Sequence, residues 1–294
     1  MARRGFQSRS QLEADLTCAP KEHRLAPATQ MKLFVINLDR QEGRLRRMAE
    51  MFDGMGLQFT RVSAVDGRQL SEETIKRWCG GASFGEVRPG ATACFLSHRG
   101  CWQRIVDEAL PYAAIFEDDL HLGDDAAALF ANGDWVPEEA DIVKVETMRQ
   151  PTRLDKAPVT ASGTRKLYRL AGKHIGAGGY VVTRKGAEKL LKMSETFSDP
   201  VDHFLFNPEL PFASSLVTFQ LSPAICMQDF FLKEPAAILG LGSDLHHERS
   251  QDRLNRPEKL WREVKRPFVQ FYGFLHRKVS TLLTNKQWVV VEFR

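Results

Sequence analysis

Five cysteines in 294 residues, with no Cys-x-x-Cys pair among them, exclude the zinc fingers and ribbons whose ligands come at that spacing. An odd number also argues against a closed disulfide framework, so the thiols read as inert groups in a reducing compartment. Cys94 and Cys101, seven apart, would share a helix face but lie too far along it to bond. No run approaches the ~18–20 apolar residues of a membrane span. Arg3-Arg4 and Leu16-Thr17-Cys18 look like fragments of twin-arginine and lipidation signals, but residues 7–15 between them are polar where either signal needs an apolar core. A net charge of only +4 gives no footprint for nucleic acid, which is not expected as a partner. No internal repeat is visible. Gly176-Ala177-Gly178-Gly179 precedes a strand pattern rather than a helix, so it is not a dinucleotide fingerprint.

What is present concentrates in residues 112–120, YAAIFEDDL. Ala113 to Phe116 form an apolar run suited to a buried strand, and Glu117, Asp118 and Asp119 follow at its C-terminal end. Open α/β sheets place their ligands at that end. Adjacent carboxylates repel unless a cation or a solvated turn relieves them. In a strand Glu117 and Asp119 share one side and Asp118 takes the other, so the outer pair could hold one divalent metal. The alternative is an acidic turn running on into His121 and Asp124-Asp125.

Around this segment the spacing predicts a strand over residues 31–37, an amphipathic helix over 40–54, a strand over 59–65 ending in Asp66-Gly67, a short helix over 71–78 and a helix over 91–110. After it come a strand at 142–145, a polar stretch rich in proline and basic residues at 149–166, a strand at 178–182 and a helix at 185–193. Strands alternating with helices make this an α/β protein with a mainly parallel sheet, long enough for one large domain or two small ones.

Five motifs stand in order along the chain. They are residues 32–38 (KLFVINL) followed by Arg40, Arg44, Arg46 and Arg47; Cys94-Phe95-Leu96-Ser97-His98; Glu117-Asp118-Asp119; residues 174–182 (HIGAGGYVV); and Pro200-Val201-Asp202. The set resembles glycosyltransferase family 25, the lipopolysaccharide and lipooligosaccharide sugar transferases. The resemblance covers about residues 31–245. It implies a GT-A-type, Rossmann-like nucleotide-sugar domain with a mainly parallel mixed sheet over residues 31–248. Residues 1–30 would be a disordered or mis-assigned extension, and residues 249–294 a helical C-terminal tail.

The activity this resemblance implies is a metal-dependent, inverting transfer of a hexose, foremost galactose from UDP-galactose, to a sugar hydroxyl of a lipooligosaccharide acceptor. Another donor sugar, a protein-linked acceptor, or a non-catalytic sugar-nucleotide binder with the same fold are the alternatives, and the intact Glu-Asp-Asp argues against the last. Oxygen ligands suit Mn²⁺ or Mg²⁺, which would neutralise the departing diphosphate. Asp119 is assigned direct metal ligation, with Glu117 or Asp118 supplying a second contact to metal or ribose. Asp202 is the candidate general base, with Asp199 and Glu209 behind it, and a helix-capping carboxylate as its alternative role. Asn37, Arg40 and Arg44 follow the first strand and are assigned to the nucleotide, Asp66 to uracil or ribose, and Ser97 and His98 to the nucleotide sugar. Arg46 and Arg47 read as a solvated helix face. Gly178 and Gly179 are expected to allow close backbone approach to the sugar, and His246 and His247 to close over the diphosphate.

From residue 245 onward there are eleven Lys or Arg against five Asp or Glu. Within it, residues 260–282 carry apolar side chains at helical spacing with basic ones between, a pattern suited to an anionic membrane surface or to covering the protein's own core. The expected location is cytoplasmic, peripheral on the inner face of the inner membrane.

Overall fold

The computed structural model describes residues 30–79, 88–232 and 281–294. In chain order, β1 (Lys32–Asn37), α1 (Glu42–Gly54), β2 (Thr60–Ser63), α2 (Glu72–Trp78) and α3 (Pro89–Asp107) lead to β3 (Tyr112–Glu117), whose register places Ala113 opposite Lys32 and Glu117 opposite Ile36. Then come β4 (Leu120–Leu122), α4 (Ala126–Phe130), β5 (Ile142–Lys144), β6 (Pro151–Asp155), β7 (Thr160–Ser162), β8 (Arg165–Arg169) and β9 (Gly179–Thr183). The remainder comprises α5 (Arg184–Met193), α6 (Val201–Phe206), α7 (Pro211–Ser215), β10 (Thr218–Ser222), β11 (Cys226–Gln228) and β12 (Lys286–Val290).

Eight strands form one sheet in the order β2-β1-β3-β9-β5-β10-β8-β7. Six of them run one way and only β9 and β8 oppose them, so the sheet is mixed, with three parallel pairings and four antiparallel ones made by those two strands. Strand alternation sends Leu33, Val35, Ala114, Phe116 and Val181 to one face, where Met48 and Phe52 of α1 and Phe130 of α4 cover them. Phe34, Ile36, Ala113, Ile115, Tyr180 and Val182 point to the other, under Phe95, Trp102 and Ile105 of α3, Leu190 of α5 and Phe204 of α6. Burial on both faces is why β1 and β3 read as unbroken apolar runs. Each fully buried Phe or Ile contributes about 1.5–3 kcal/mol by leaving water. Ser71 caps α2 by accepting from Thr74 N at 3.2 Å, as its Ser-x-x-Thr start predicts.

Two regions differ from expectation. The polar stretch at 149–166 contains β6, β7 and the start of β8. Its strand character is hidden because Arg165 occupies a core position, with its guanidinium satisfied by Asp125 and by the carbonyls of Pro223, Ala224 and Arg294. The chain end is not helical throughout: Lys286–Val290 pairs antiparallel with β6, and Val291 is fully buried beside Leu154 and Ala224. Trp288, Val289, Val290 and Val291 are aromatic and β-branched, which favours a strand over a helix. Most of residues 260–282, the extension at 1–29, and His246 and His247 lie outside the described residues.

Candidate functional site

The parallel strands β1, β2 and β3 end on the same side of the sheet, and a cavity of about 460 Å³ opens there. That volume lies within the range of small-molecule sites. Its walls include Arg40 and Arg44, Asp66 and Gly67, Cys94, Ser97 and His98 of α3, and all three of Glu117, Asp118 and Asp119.

The expected alternation of the acidic triplet stops at Glu117. That residue closes β3, and Asp118 and Asp119 form the turn into β4, so strand geometry no longer separates them and all three reach the same cavity. Their environments differ sharply. Asp118 is clamped between Asn37 Nδ2 at 2.7 Å and Arg44 at 2.8 Å. Glu117 Oε2 accepts from Gln228 Nε2 at 2.8 Å, while Oε1 receives His98 Nε2 at 3.3 Å and Cys94 Sγ at 3.8 Å. Burial alone would raise the Glu117 carboxyl, but the hydrogen bonds from His98, Gln228 and Cys94 outweigh it and hold the group below its ordinary value. Asp119 is the opposite case. Burial, then Glu117 and Asp118, push its carboxyl well above the usual range, and its buried Oδ1 has no hydrogen-bond partner among the described residues. An acceptor left so is costly unless a cation or donor meets it.

Behind Glu117 runs a buried chain of donors. Trp102 Nε1 donates to Tyr180 Oη at 3.0 Å, and Tyr180 Oη meets His98 Nδ1 at 2.8 Å. With Trp102 able only to donate, the arrangement that satisfies every group has Tyr180 donating to Nδ1 and His98 Nε2–H donating to Glu117.

Several expected residues act through others. Asn37 is buried away from the cavity lining and holds Asp118, while its Oδ1 accepts from Arg61 at 3.1 Å. Arg40 and Asp66 do meet at the cavity, 2.5 Å apart. Ser97 Oγ is already used, accepting from Val65 N at 2.9 Å and donating to Ala93 O at 2.7 Å, so it ties α3 to the end of β2. Gly178 and Gly179 line no part of this cavity. A Cβ on Gly179 would collide with Cys226 Sγ, and one on Gly178 would press on Gln228 and Glu146, so protein neighbours account for both glycines. Gly178 also accepts from Glu117 N at 2.9 Å and donates to Glu146 Oε2 at 3.1 Å. Asp202 lies in the first turn of α6, with Oδ1 accepting from His203 N at 2.9 Å; it does not line the cavity, though its charge helps raise the Cys94 thiol after burial and Glu117. Asp199 is buried and Glu209 exposed, and neither lines the cavity.

Other participants were not foreseen. Arg47 is half-buried rather than solvated, close enough to Asp229, Asp119 and Asp118 for their charges to support its own against burial. Its spacing of three from Arg44 along α1 was the available signal. Gln228 and Asp229 come from β11 and the turn after it, where Asp229 N donates to Asp119 O at 2.9 Å and Asp229 Oδ1 meets His121 Nε2 at 2.8 Å. No local pattern marks them, because the pairing of β11 with β4 brings together residues more than a hundred positions apart.

Comparison with known proteins converges on one family. Residues 30–205 match Glycosyltransferase family 25 (LPS biosynthesis protein). The chain is 31% identical over 245 residues to the lacto-N-neotetraose biosynthesis glycosyltransferase LgtB of Neisseria gonorrhoeae, covering 79% of this chain and 86% of that one. It is 29% identical over 256 residues to LgtE of the same organism, covering 82% and 90%. It is also 27% identical over 205 residues to the lipooligosaccharide biosynthesis protein lic2B of Haemophilus influenzae, covering 67% and 75%.

Proposed function

Because the chain belongs to glycosyltransferase family 25 and is a glycosyltransferase, we propose that it transfers a hexose from a UDP-sugar, foremost UDP-galactose, to a sugar hydroxyl of a lipopolysaccharide or lipooligosaccharide acceptor, with inversion and with a divalent cation. The observation that carries this reading is the cavity at the ends of three parallel strands, which combines Arg40 and Arg44 with a buried oxygen of Asp119 that has no partner among the described residues. Cations and a carboxylate on one wall suit a diphosphate that arrives with a metal.

The residues present fit such an ion. Asp119 has an oxygen to give, whereas Asp118 is held by Asn37 and Arg44 and both oxygens of Glu117 are engaged. Direct ligation of Mn²⁺ or Mg²⁺ is therefore assigned first to Asp119. When bound, the ion supplies neutralisation of the charge that develops on the departing diphosphate. Arg44, fixed by Asp118, presents its positive charge to the same space, and Arg40 with Asp66 borders the part assigned to ribose and base. Ser97 holds the cavity wall and His98 orients Glu117. Asp202, on the helix beside Cys94, is assigned the general base that takes the acceptor's proton.

No described helix is long and apolar enough to cross a membrane. A lipid-linked acceptor would put the enzyme at the inner face of the inner membrane, and the support for peripheral attachment is the basic amphipathic pattern of residues 260–282.

The test is thermal stabilisation by UDP and GDP with and without Mn²⁺, followed by hydrolysis of a panel of UDP-sugars. UDP with Mn²⁺ should stabilise the fold by ~2.7 kcal/mol at a hundredfold excess over its dissociation constant. UDP-galactose should be the donor hydrolysed fastest. Equal stabilisation by GDP, or full turnover in excess chelator, would overturn the reading.

A further inference from the structure

Cys94 and His98 lie four residues apart on α3, so they share the helix face turned toward the end of β3. Both meet one atom there, Glu117 Oε1, with His98 Nε2 at 3.3 Å and Cys94 Sγ at 3.8 Å. The ligating atoms of all three residues lie within 4.8 Å of one another, and all three residues line the cavity. A tetrahedral ion with bonds of about 2.0–2.1 Å to nitrogen and oxygen holds those two atoms roughly 3.3 Å apart, and a bond of about 2.3 Å to sulfur sets it ~3.5 Å from either. The His98–Glu117 separation already has that value. The sulfur lies 3.8 Å from Glu117 Oε1, against the ~3.5 Å a bound ion would set.

Each of two ligands also has a partner behind it. His98 Nδ1 is held by Tyr180 Oη at 2.8 Å, and Tyr180 in turn by Trp102; Glu117 Oε2 is held by Gln228 at 2.8 Å. Such outer contacts fix ligand orientation in metal sites. The donor set of thiolate, imidazole and carboxylate selects borderline ions such as Zn²⁺ and Co²⁺, whereas Mg²⁺ and Mn²⁺ favour oxygen alone.

We propose that Cys94, His98 and Glu117 form a three-ligand site for a divalent ion of the Zn²⁺ class, with its fourth position open to the cavity. Its ligands differ from the Asp119 oxygen assigned to the other cation in the same cavity, and it does not depend on that assignment. Binding takes Cys94 as the thiolate, its proton leaving to water. The ion replaces the hydrogen that His98 Nε2 otherwise donates to Glu117 Oε1, and the imidazole hydrogen moves to Nδ1, where Tyr180 Oη accepts it beside Trp102 Nε1–H, the reverse of the metal-free arrangement. Thiolate and carboxylate together neutralise the ion, which removes the negative charge that Glu117 otherwise shows to the cavity.

The test titrates Zn²⁺ alone into the metal-stripped full chain against a chromophoric chelator, with no sugar nucleotide present. One ion per chain is expected, bound about tenfold or more weaker in Cys94→Ser and in His98→Asn and unchanged in Cys79→Ser. Co²⁺ in place of Zn²⁺ should produce a thiolate-to-metal absorption that Cys94→Ser abolishes. If that variant fails to fold, the presence or absence of the absorption in the unmodified protein decides the matter. No stoichiometric binding at micromolar Zn²⁺, or undiminished binding in both variants, overturns the site. Donor hydrolysis with Mn²⁺ is read separately, so failure of the transferase reading leaves the zinc result standing.

Discussion

Replacing Lys144 by Met should destabilise this protein more than most single changes. Lys144 Nζ lies 3.1 Å from Glu146 Oε2, and both side chains are fully buried. The ammonium also donates to Gly176 O and sits 4.3 Å above the Phe206 ring. Removing one partner of a buried pair strands the other, at a cost of about 3–5 kcal/mol, against a total stability of roughly 5–15 kcal/mol for a domain. The loss carries a pH signature. Burial raises the Glu146 carboxyl above its ordinary 4.5 even with Lys144 beside it, so the folded chain holds this proton more tightly than the unfolded chain does. Its contribution to stability therefore falls as pH climbs above 4.5, and it falls further once the ammonium that opposes the shift is gone. Urea unfolding should show a deficit for Lys144→Met that is larger at pH 8 than at pH 5. The double variant Lys144→Met with Glu146→Gln keeps an acceptor for Gly178 N–H and should regain most of the loss. A deficit under ~1 kcal/mol at pH 8, or one independent of pH, would refute the account of a stranded buried carboxylate.

Asp119→Asn removes a carboxylate raised by burial, Glu117 and Asp118, so without metal it should melt at or above the parent, by ~0.5–2 kcal/mol at pH 8, while losing transfer; a destabilised variant would count against like-charge crowding there. Gly179→Ala drives a methyl into Cys226 Sγ between β9 and β11 and should cost ~1–3 kcal/mol in urea unfolding, and a neutral result would show that β11 can yield. His174 is pushed down to about 3 by burial and Lys144, so the folded state keeps it neutral while the unfolded state protonates it near 6.5. Stability should fall by up to ~1.4 kcal/mol per pH unit on acidification below 6.5, and His174→Gln should flatten that slope between pH 6.5 and 5.

The parts of the site legible in the sequence were those carried by one continuous element. Residues 112–119 could be read as a buried strand ending in acid because burial on both faces of a sheet leaves an unbroken apolar run, and the position of Arg40 and Arg44 after β1 followed from the same reasoning. Parts that depend on pairing between distant segments were not. Gln228 and Asp229 reach Glu117 and Asp119 only because β11 lies against β4. Likewise β8 was hidden by Arg165, whose burial makes sense only once Asp125 and the carbonyls of residues 223, 224 and 294 converge on it.

By itself the sequence determined the α/β class, the strand that leads into Glu117-Asp118-Asp119 and the family, because periodicity, helix caps and short ordered motifs are local quantities. Tertiary structure alone decided which carboxylate is free. Three adjacent acids are equivalent on paper, and they diverge because Asn37 and Arg44 take Asp118, His98 and Gln228 take Glu117, and burial leaves one oxygen of Asp119 with no donor among the described residues. A carboxylate's state is set by its solvation and its neighbours, and those are supplied by chain segments that no window around it contains.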